Sequence, residues 1–294
     1  MKPRFSVVIP LFNKEQYVAN TIQSVLAQTF GDFELLIIND GSTDNSLEIV
    51  KQISDPRISI ITQENKGVSA TRNHGISVSN TDYITFLDAD DYWYPDFLST
   101  LNSLIDSYPS EKVFSAAIER EFRHSVVAAK YSVNLENEIV VTDYFSASLK
   151  ETVICTSAAV FEKSVFSEAG TFDENLKSGE DTDLWIRIGL QYKVVFIQKI
   201  LARYILTAKS LSGTTISNID LDKYRDREKN NPNLSKFLDL NRYSLAIQSK
   251  VNGESERYRQ FSKNISSLPI KKKIVLKLPA FILKLLIKLQ KNRL

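Results

Sequence analysis

The sequence predicts an α/β protein built on a mostly parallel sheet with helices on both faces. Two observations carry this prediction. Short apolar runs alternate with stretches of helical spacing, and each apolar run ends in a polar turn. Alternation of this kind produces parallel strands that are covered by helices. Ligands bind such sheets beyond the carboxyl ends of the strands, so the polar turns are the expected functional positions.

The first half of the chain supplies three strands and three helices. Residues 5–10 are apolar and close at a proline, which predicts a buried strand; Val18, Ile22 and Val25 then recur at helical spacing. A second strand is predicted over residues 33–38, followed by a polar turn that can cap a helix. A third strand over residues 58–62 and a helix over residues 67–77 complete the pattern.

The fourth predicted strand, residues 83–87, ends in three carboxylates: Asp88, Asp90 and Asp91. Carboxylates at the end of a buried strand are costly unless a cation meets them. A divalent metal that carries a phosphorylated ligand suits this place, because hard cations take oxygen ligands and keep positions open for phosphate. The alternative is an acidic loop that caps the helix starting near Pro95.

Five motifs, in order along the chain, resemble those of family 2 inverting glycosyltransferases. They are Ser6-Val-Val-Ile-Pro-Leu-Phe-Asn13, Ile38-Asn-Asp-Gly-Ser-Thr-Asp44, Asn65-Lys-Gly-Val-Ser-Ala-Thr-Arg-Asn73, Leu87-Asp-Ala-Asp-Asp91 and Gly179-Glu-Asp-Thr-Asp-Leu-Trp185. The resemblance covers residues 4–212 and implies a GT-A fold, which is Rossmann-like. No GxGxxG follows the first strand and GxxxxGK[ST] is absent, which argues against dinucleotide and P-loop binding.

The resemblance implies a role for individual residues at the first three strand ends. Pro10 and Phe12 would line the pocket for the base of a sugar nucleotide, and Phe12 would stack on the ring. Asp40 would accept a hydrogen bond from the base; the alternative is a helix-capping turn. Asn65 and Arg72 would contact the nucleotide, Arg72 through its charge or a forked hydrogen bond.

The resemblance also implies the residues of the reaction centre. Asp88 would hold the ribose or a metal-bound water, with Ala89 beside it in the substrate site. Asp90 would bind Mn²⁺ or Mg²⁺, which bridges the diphosphate and neutralises the leaving group. Asp181 would be the base that deprotonates the acceptor hydroxyl, and Glu180 would position it. The alternative is that these last two acids complement the dipole of the helix that follows them.

One departure from the family concerns the metal. Many relatives carry a histidine ligand shortly after the last core strand, whereas this chain has only His74 and His124, and His74 is expected to be structural. The corresponding stretch offers other groups that could contact the diphosphate: Arg203, Lys209, Ser210 and Ser212. The metal would then be held by Asp90 and phosphates alone.

Composition agrees with an intracellular enzyme. At 294 residues and 43% hydrophobic content, the chain can bury an α/β domain and still carry an appendage. Its one cysteine, Cys155, excludes a disulfide within the chain and is expected to be a buried thiol. The first apolar run is too short for a signal peptide, and no stretch is long and uncharged enough to span a membrane.

The net charge of +2 conceals a basic segment. Residues 267–294 contain seven lysines and Arg293 but no acidic residue. Four of these lysines fall on one helical face, and the opposite side is apolar: Phe281, Ile282, Leu285, Leu286 and Leu289. A basic amphipathic helix suits an anionic membrane surface. The alternative is packing on the protein or on a second copy of the chain, as a homo-oligomer; nucleic acid is not expected, because the remainder is acidic.

Together these features predict a GT-A catalytic domain over residues 1–212, a helical linker over 213–266 and a basic membrane-association helix over 267–294. The expected activity is transfer of a hexosyl or N-acetylhexosaminyl group, with inversion, from a nucleotide-diphosphate sugar to a hydroxyl of a lipid-linked or polymeric cell-surface glycan. A UDP-sugar donor and the cytoplasmic face of the cell membrane are expected. The alternatives are a sugar-nucleotide nucleotidyltransferase, which would need a glycine-rich basic loop after strand one, and a non-catalytic scaffold, against which the three aspartates Asp88, Asp90 and Asp181 argue.

Overall fold

The computed structural model describes residues 2–122, 125–134, 136–206 and 217–291. Contacts within the chain divide it into two units, residues 1–207 and 208–294. The predicted boundary between a linker and a C-terminal helix, at residues 266 and 267, falls inside the second unit.

The first unit contains ten strands and seven helices among its described residues. The strands are β1 (Phe5–Leu11), β2 (Phe33–Asp40), β3 (Ile58–Gln63), β4 (Tyr83–Phe86), β5 (Tyr92–Trp93), β6 (Val113–Phe122), β7 (Ser125–Ala128), β8 (Ile139–Thr142), β9 (Ala159–Glu162) and β10 (Val194–Leu206). The helices are α1 (Val18–Leu26), α2 (Ser46–Lys51), α3 (Val68–Val78), α4 (Phe97–Ser107), α5 (Tyr144–Ala147), α6 (Ser164–Glu168) and α7 (Glu180–Gly189).

All ten strands belong to one sheet, in the order β3-β2-β1-β4-β9-β6-β10-β5, with β7 beside β6 and β8 beside β10. The pairs β1–β2, β1–β4, β2–β3 and β6–β10 are parallel and supply most of the paired residues. Strand β9 is antiparallel to both β4 and β6 and joins the two parallel parts. The prediction of an α/β fold with a mostly parallel sheet is therefore confirmed.

Helices cover both faces of the sheet, as the continuous apolar runs predict. On one face, Val7 and Ile9 of β1 belong to a hydrophobic cluster that also contains residues of α1 and α4. On the other face, Gly75 of α3 lies against Val8 of β1. Because β1, β2 and β4 run parallel as neighbours, their carboxyl ends meet at one edge of the sheet.

The second unit is helical in its described part. Its helices are α8 (Arg225–Glu228), α9 (Pro232–Asn252), α10 (Ser255–Lys263), α11 (Ile270–Lys277) and α12 (Ala280–Lys291). Helix α9 is the longest and packs against each of the other four. Its fully buried Arg242 pairs with Glu228 and lies 3.5 Å from a carboxylate oxygen of Asp239. Over the described residues, no helix has both the length and the apolar composition that crossing a membrane requires.

The contact between α3 and β1 gives a test of the fold. A Cβ atom at Gly75 would overlap Cγ1 of the buried Val8 and lie 3.0 Å from its Cγ2. Because a β-branched side chain in a packed strand cannot easily turn away, Gly75→Ala should lower the free energy of unfolding by about 1–3 kcal/mol. Chemical denaturation would measure it. Gly31→Ala is the control, since nothing lies within 4 Å of its Cβ position, and should change stability by less than about 0.5 kcal/mol.

Candidate active site

The turn that follows β4 is held in place by Ser157. The hydroxyl of Ser157 donates to Oδ2 of Asp91 at 2.5 Å and accepts from the backbone N–H of Asp88 at 3.1 Å. The second oxygen of Asp91 accepts from the backbone N–H of Ile205 in β10 at 2.9 Å. One buried carboxylate therefore ties the turn both to the segment before β9 and to the end of β10.

Negative charge on this turn is only partly compensated. Burial raises the pKa of Asp91 well above its ordinary value, and the charges of Asp88 and Asp90 raise it further. Burial also raises the pKa of Asp90, although the ammonium of Lys14 opposes that shift. Lys14 comes from the loop after β1 and forms an ion pair with Oδ2 of Asp90. The turn therefore favours a further positive charge.

Arg72 connects two of the predicted acidic motifs. Its guanidinium donates to Oδ1 of Asp88 at 2.6 Å and to Oε1 of Glu180, at the start of α7, at 3.0 Å. Its side chain is buried and lies over the ring of Phe172. Burial alone would lower the pKa of Arg72, but the charges of Asp88 and Glu180 outweigh it and raise the pKa above the ordinary value. The arginine is therefore a fixed positive charge in the site.

Asp181, the predicted base, lies in the first turn of α7 and is partly exposed. Its Oδ1 accepts from the backbone N–H of Thr182 at 2.5 Å. Its charge also helps to raise the pKa of Arg72, so Asp181 lies within electrostatic range of the guanidinium. For the neighbouring Glu180, burial raises the pKa and the charge of Arg72 opposes that shift. Of these two acids, Glu180 is engaged by Arg72, whereas Asp181 makes local contacts at the helix end.

Asp40 organises the neighbouring strand ends. Its carboxylate accepts from the backbone N–H groups of Lys66 and Gly67, each at 2.9 Å, just before α3. It also accepts from Nε2 of Gln63 at 2.8 Å, and Gln63 in turn hydrogen-bonds His74. Asp40 thus fixes the loop that leads into α3. Asn65 donates to the carbonyl of Asp40 at 3.0 Å.

One aromatic side chain near these groups is exposed to solvent. Phe12, which directly follows β1, is 44% exposed, and Pro10 is partly exposed. The next residue, Asn13, has a φ of 52°, in the left-handed region that asparagine tolerates better than most residues. Its side-chain oxygen accepts from the backbone N–H of Thr43 at 2.8 Å, which joins the loops after β1 and β2. The loop carrying Phe12 is therefore anchored while the ring stays accessible.

Arg203 is not joined to the acidic turn. Its guanidinium donates to Glu119 at 2.7 Å, to Glu121 at 3.0 Å and to the hydroxyl of Tyr94 at 2.8 Å. This surrounding network uses all three of its nitrogens. The other groups predicted for the diphosphate, Lys209, Ser210 and Ser212, and also His124, lie outside the described residues.

The carboxylate oxygens of the turn after β4 are suitable ligands for a hard divalent cation. Asp88, Asp90 and Glu180 pair with two cationic side chains, Lys14 and Arg72. Asp91 and Asp181 lie within electrostatic range of this group, which makes five carboxylates. Within the described part of the chain, however, no three histidine, cysteine or acidic side chains are arranged as a complete set of metal ligands. Asp90 and Asp88 could therefore hold Mg²⁺ or Mn²⁺ only if a bound diphosphate supplies further oxygens.

Sequence reasoning missed two residues of this site. Lys14 directly follows the first motif, and this position after the first strand end, opposite an acidic strand end, was the available signal. Ser157 lies in the apolar run of residues 152–161, which also contains Cys155 and whose composition is typical of a strand. The strand begins only at Ala159, because residues 156–158 form a 3₁₀ turn that carries the Ser157 hydroxyl to Asp91.

Comparison with known proteins identifies the family. The family model described as Glycosyl transferase family 2 matches residues 6–170, which is more than half of the chain. The chain belongs to glycosyltransferase family 2. The match contains four of the five motifs named from the sequence and ends before the fifth, at residues 179–185.

Curated relatives agree with this assignment. The chain is 31% identical over 219 residues to glycosyltransferase GlyA of Streptococcus pneumoniae, which covers 71% of this chain and 31% of GlyA. It is 26% identical over 263 residues to a chondroitin synthase of Escherichia coli, covering 87% of this chain and 36% of that protein. The chain thus spans about a third of the length of these relatives.

A solved structure shares the fold. S. aureus TarS in complex with UDP-GlcNAc superimposes with a TM-score of 0.61 at 16% identity, over 89% of this chain and 88% of that chain. The family 2 assignment and this match confirm the predicted GT-A fold.

The role of Ser157 can be tested through stability. Ser157→Ala removes the donor to Asp91 and the acceptor of the Asp88 N–H, and it leaves a buried carboxylate with one partner fewer. We expect a loss of about 1–3 kcal/mol in the free energy of unfolding. Denaturant titration would measure it, with Ser103→Ala as the control, because that hydroxyl lies on the exposed side of α4. Equal stability of the two variants would show that the turn does not depend on Ser157.

Proposed function

We propose that this family 2 protein is an inverting glycosyltransferase that uses a nucleotide-diphosphate sugar. The observation that carries the proposal is the contact of Arg72 with both Asp88 and Glu180. This contact brings the acidic turn after β4, a place for a phosphorylated donor, next to the start of α7, which carries Asp181. A direct displacement requires the sugar nucleotide and the catalytic base to lie next to each other.

The donor is proposed to be a UDP-sugar. The TarS structure is titled as a complex with UDP-GlcNAc, and this similarity supports the same donor class here. The exposed ring of Phe12 offers a stacking surface for the base, beside Pro10. Asp40 has both carboxylate oxygens occupied by backbone or side-chain donors, but a carboxylate has about four acceptor positions and can accept one more hydrogen bond. Asn65 and Arg72 lie at the same edge.

A divalent metal is proposed as the cofactor, with Asp90 as its principal ligand and Asp88 beside it. When bound, it would supply positive charge to the diphosphate leaving group. The chemistry of the site supports this, since five carboxylates against two cations make a poor place for an anionic ligand without further positive charge. When the sugar nucleotide binds, the ammonium of Lys14 would exchange its ion pair with Asp90 for one with a phosphate oxygen.

The chemical step is proposed to be a single displacement. Asp181 would accept the proton of the acceptor hydroxyl as that oxygen forms a bond to the anomeric carbon. The bond from this carbon to the diphosphate oxygen breaks on the opposite face, and its electron pair leaves with the nucleoside diphosphate. Arg72 holds Glu180 and thereby fixes the start of α7, which positions Asp181.

The acceptor is proposed to be a hydroxyl of a lipid-linked or polymeric cell-surface glycan, and the transferred group a hexosyl or N-acetylhexosaminyl residue. The similarity to a protein named chondroitin synthase supports a polymeric glycan. The network of Arg203, Glu119 and Tyr94 offers polar groups to which the hydroxyl groups of a glycan would bind.

The metal role of Asp90 is testable by binding. Asp90→Asn keeps the size of the side chain but removes the charge that attracts a divalent cation. We expect no detectable transfer and at least about tenfold weaker binding of UDP in the presence of Mn²⁺, measured by isothermal titration calorimetry.

Asp32→Asn is the matched control for this variant, because Asp32 is exposed. It should bind UDP as the unmodified protein does. Metal-dependent UDP binding of unchanged strength in Asp90→Asn would remove Asp90 from the metal site.

The role of Asp181 is testable by separating binding from turnover. Asp181→Asn can still accept a hydrogen bond from Thr182 but cannot take a proton at neutral pH. We expect UDP affinity to persist while kcat falls by about 10² or more. Donor turnover with a panel of UDP-sugars would measure this, with Asp32→Asn again as the control. Near-normal turnover would leave Asp181 as a helix-terminal residue with no part in the chemistry.

A further inference from the structure

Helices α11 and α12 both pack against α9. Leu283 of α12 is 2% exposed, and α12 packs against α9. The end of α11 is held from the same direction, because Nζ of Lys250 in α9 donates to the carbonyl of Leu276 at 2.9 Å. The ammonium of Lys272 lies 4.8 Å from the ring centre of Tyr243, also in α9. The inner sides of both helices are therefore fixed on the second unit.

The outer side of α12 is apolar and uncovered. Phe281 is 71% exposed, Leu285 57% and Leu289 51%. Residues four apart in a helix lie on the same side, so these three form one stripe, which we call the α12 stripe. The structure adds one detail to the expectation from the sequence: the protein itself buries Leu283, which was not on the predicted apolar side, and the α12 stripe is exposed.

Lysines border the α12 stripe. Lys284 and Lys288 are exposed at helical positions next to Phe281 and Leu285. Helix α11 repeats the pattern, with exposed Ile270 and Ile274 accompanied by exposed lysines at positions 273 and 277. No acidic residue occurs in the sequence after Glu256. Any occupant of this surface must therefore accept both apolar side chains and a high density of positive charge.

We propose that the α12 stripe and its lysines dock the protein on an anionic lipid surface, such as the cytoplasmic leaflet of the cell membrane. A bilayer surface meets both requirements at once, since acyl chains receive the apolar side chains and anionic headgroups receive the lysines. A second copy of the chain fits less well, because pairing two such stripes would bring lysines of like charge together. Docking would concentrate the enzyme where lipid-linked acceptors are found.

Vesicle co-sedimentation of the full chain tests this proposal without any measurement of turnover. The probes are vesicles of equal parts phosphatidylcholine and phosphatidylglycerol, and vesicles of phosphatidylcholine alone. We expect binding to the first and at least about tenfold weaker binding to the second. Raising the salt from about 0.1 M to 1 M should weaken the binding, because the screening length falls from about 10 Å to about 3 Å.

Two sets of substitutions separate the apolar and the basic contributions. Phe281→Ser, Leu285→Ser and Leu289→Ser together should weaken partitioning by about 10²-fold or more. Lys273→Gln, Lys277→Gln, Lys284→Gln and Lys288→Gln together should weaken it by about 10²- to 10³-fold and remove the preference for anionic lipid. All seven side chains are exposed, so both variants should fold, which circular dichroism would check.

Matched controls alter the same residue types elsewhere. Val126→Ser with Val127→Ser changes exposed apolar residues of β7, and Lys236→Gln with Lys263→Gln changes exposed lysines of α9 and α10. Both controls should bind vesicles as the unmodified chain does. Failure of the unmodified chain to bind either vesicle would overturn the proposal. So would light scattering that shows a dimer which the serine variant dissociates, since the occupant would then be a second copy.

Discussion

The buried guanidinium of Arg72 is the interaction on which the site depends. A charge removed from water is tolerated only where opposite charges and hydrogen bonds meet it, and Asp88 and Glu180 do so from two different parts of the chain. Helix α3, the turn after β4 and the start of α7 are therefore fixed relative to one another by one side chain. Loss of either carboxylate would leave the arginine buried and underpaired, so this geometry is coupled to the stability of the sheet edge.

The same edge also has more negative charge than its own cations balance. The pKa values of Asp90, Asp91 and Glu180 are all raised, in each case chiefly by burial. Ionised carboxylates that are buried in this way lower the free energy of unfolding of the protein. Binding of a cation beside them raises it again. A metal with a nucleotide diphosphate would bring that charge together with the oxygen ligands that complete its coordination. The electrostatics of this edge thus favour the donor class that the family and the TarS similarity support.

The fold was predictable because its signals are local. The apolar runs of β1, β2 and β4 and the helical spacing of α1 lie within short windows, and the motifs at the strand ends follow from them. The contacts of the site were not predictable in the same way. Asp91 was visible as one of three acids, but its partners Ser157 and Ile205 lie 66 and 114 residues away. Asp40 was predicted to bind the nucleotide base or to cap a helix, and its contacts with the loop before α3 become visible only once β2 lies beside β3.

The basic C-terminal segment shows the same limit of prediction from sequence. Its lysine and leucine spacing predicts an amphipathic helix, but spacing alone cannot distinguish a side that packs on the protein from one that remains open. The structure makes the distinction, since Leu283 is covered by α9 while Phe281, Leu285 and Leu289 are not. Contacts on the inner side hold these three apolar side chains outward, beside the lysines. Exposed apolar surface of this kind opposes solubility, so a helix fixed in this orientation is best explained by a surface that covers it.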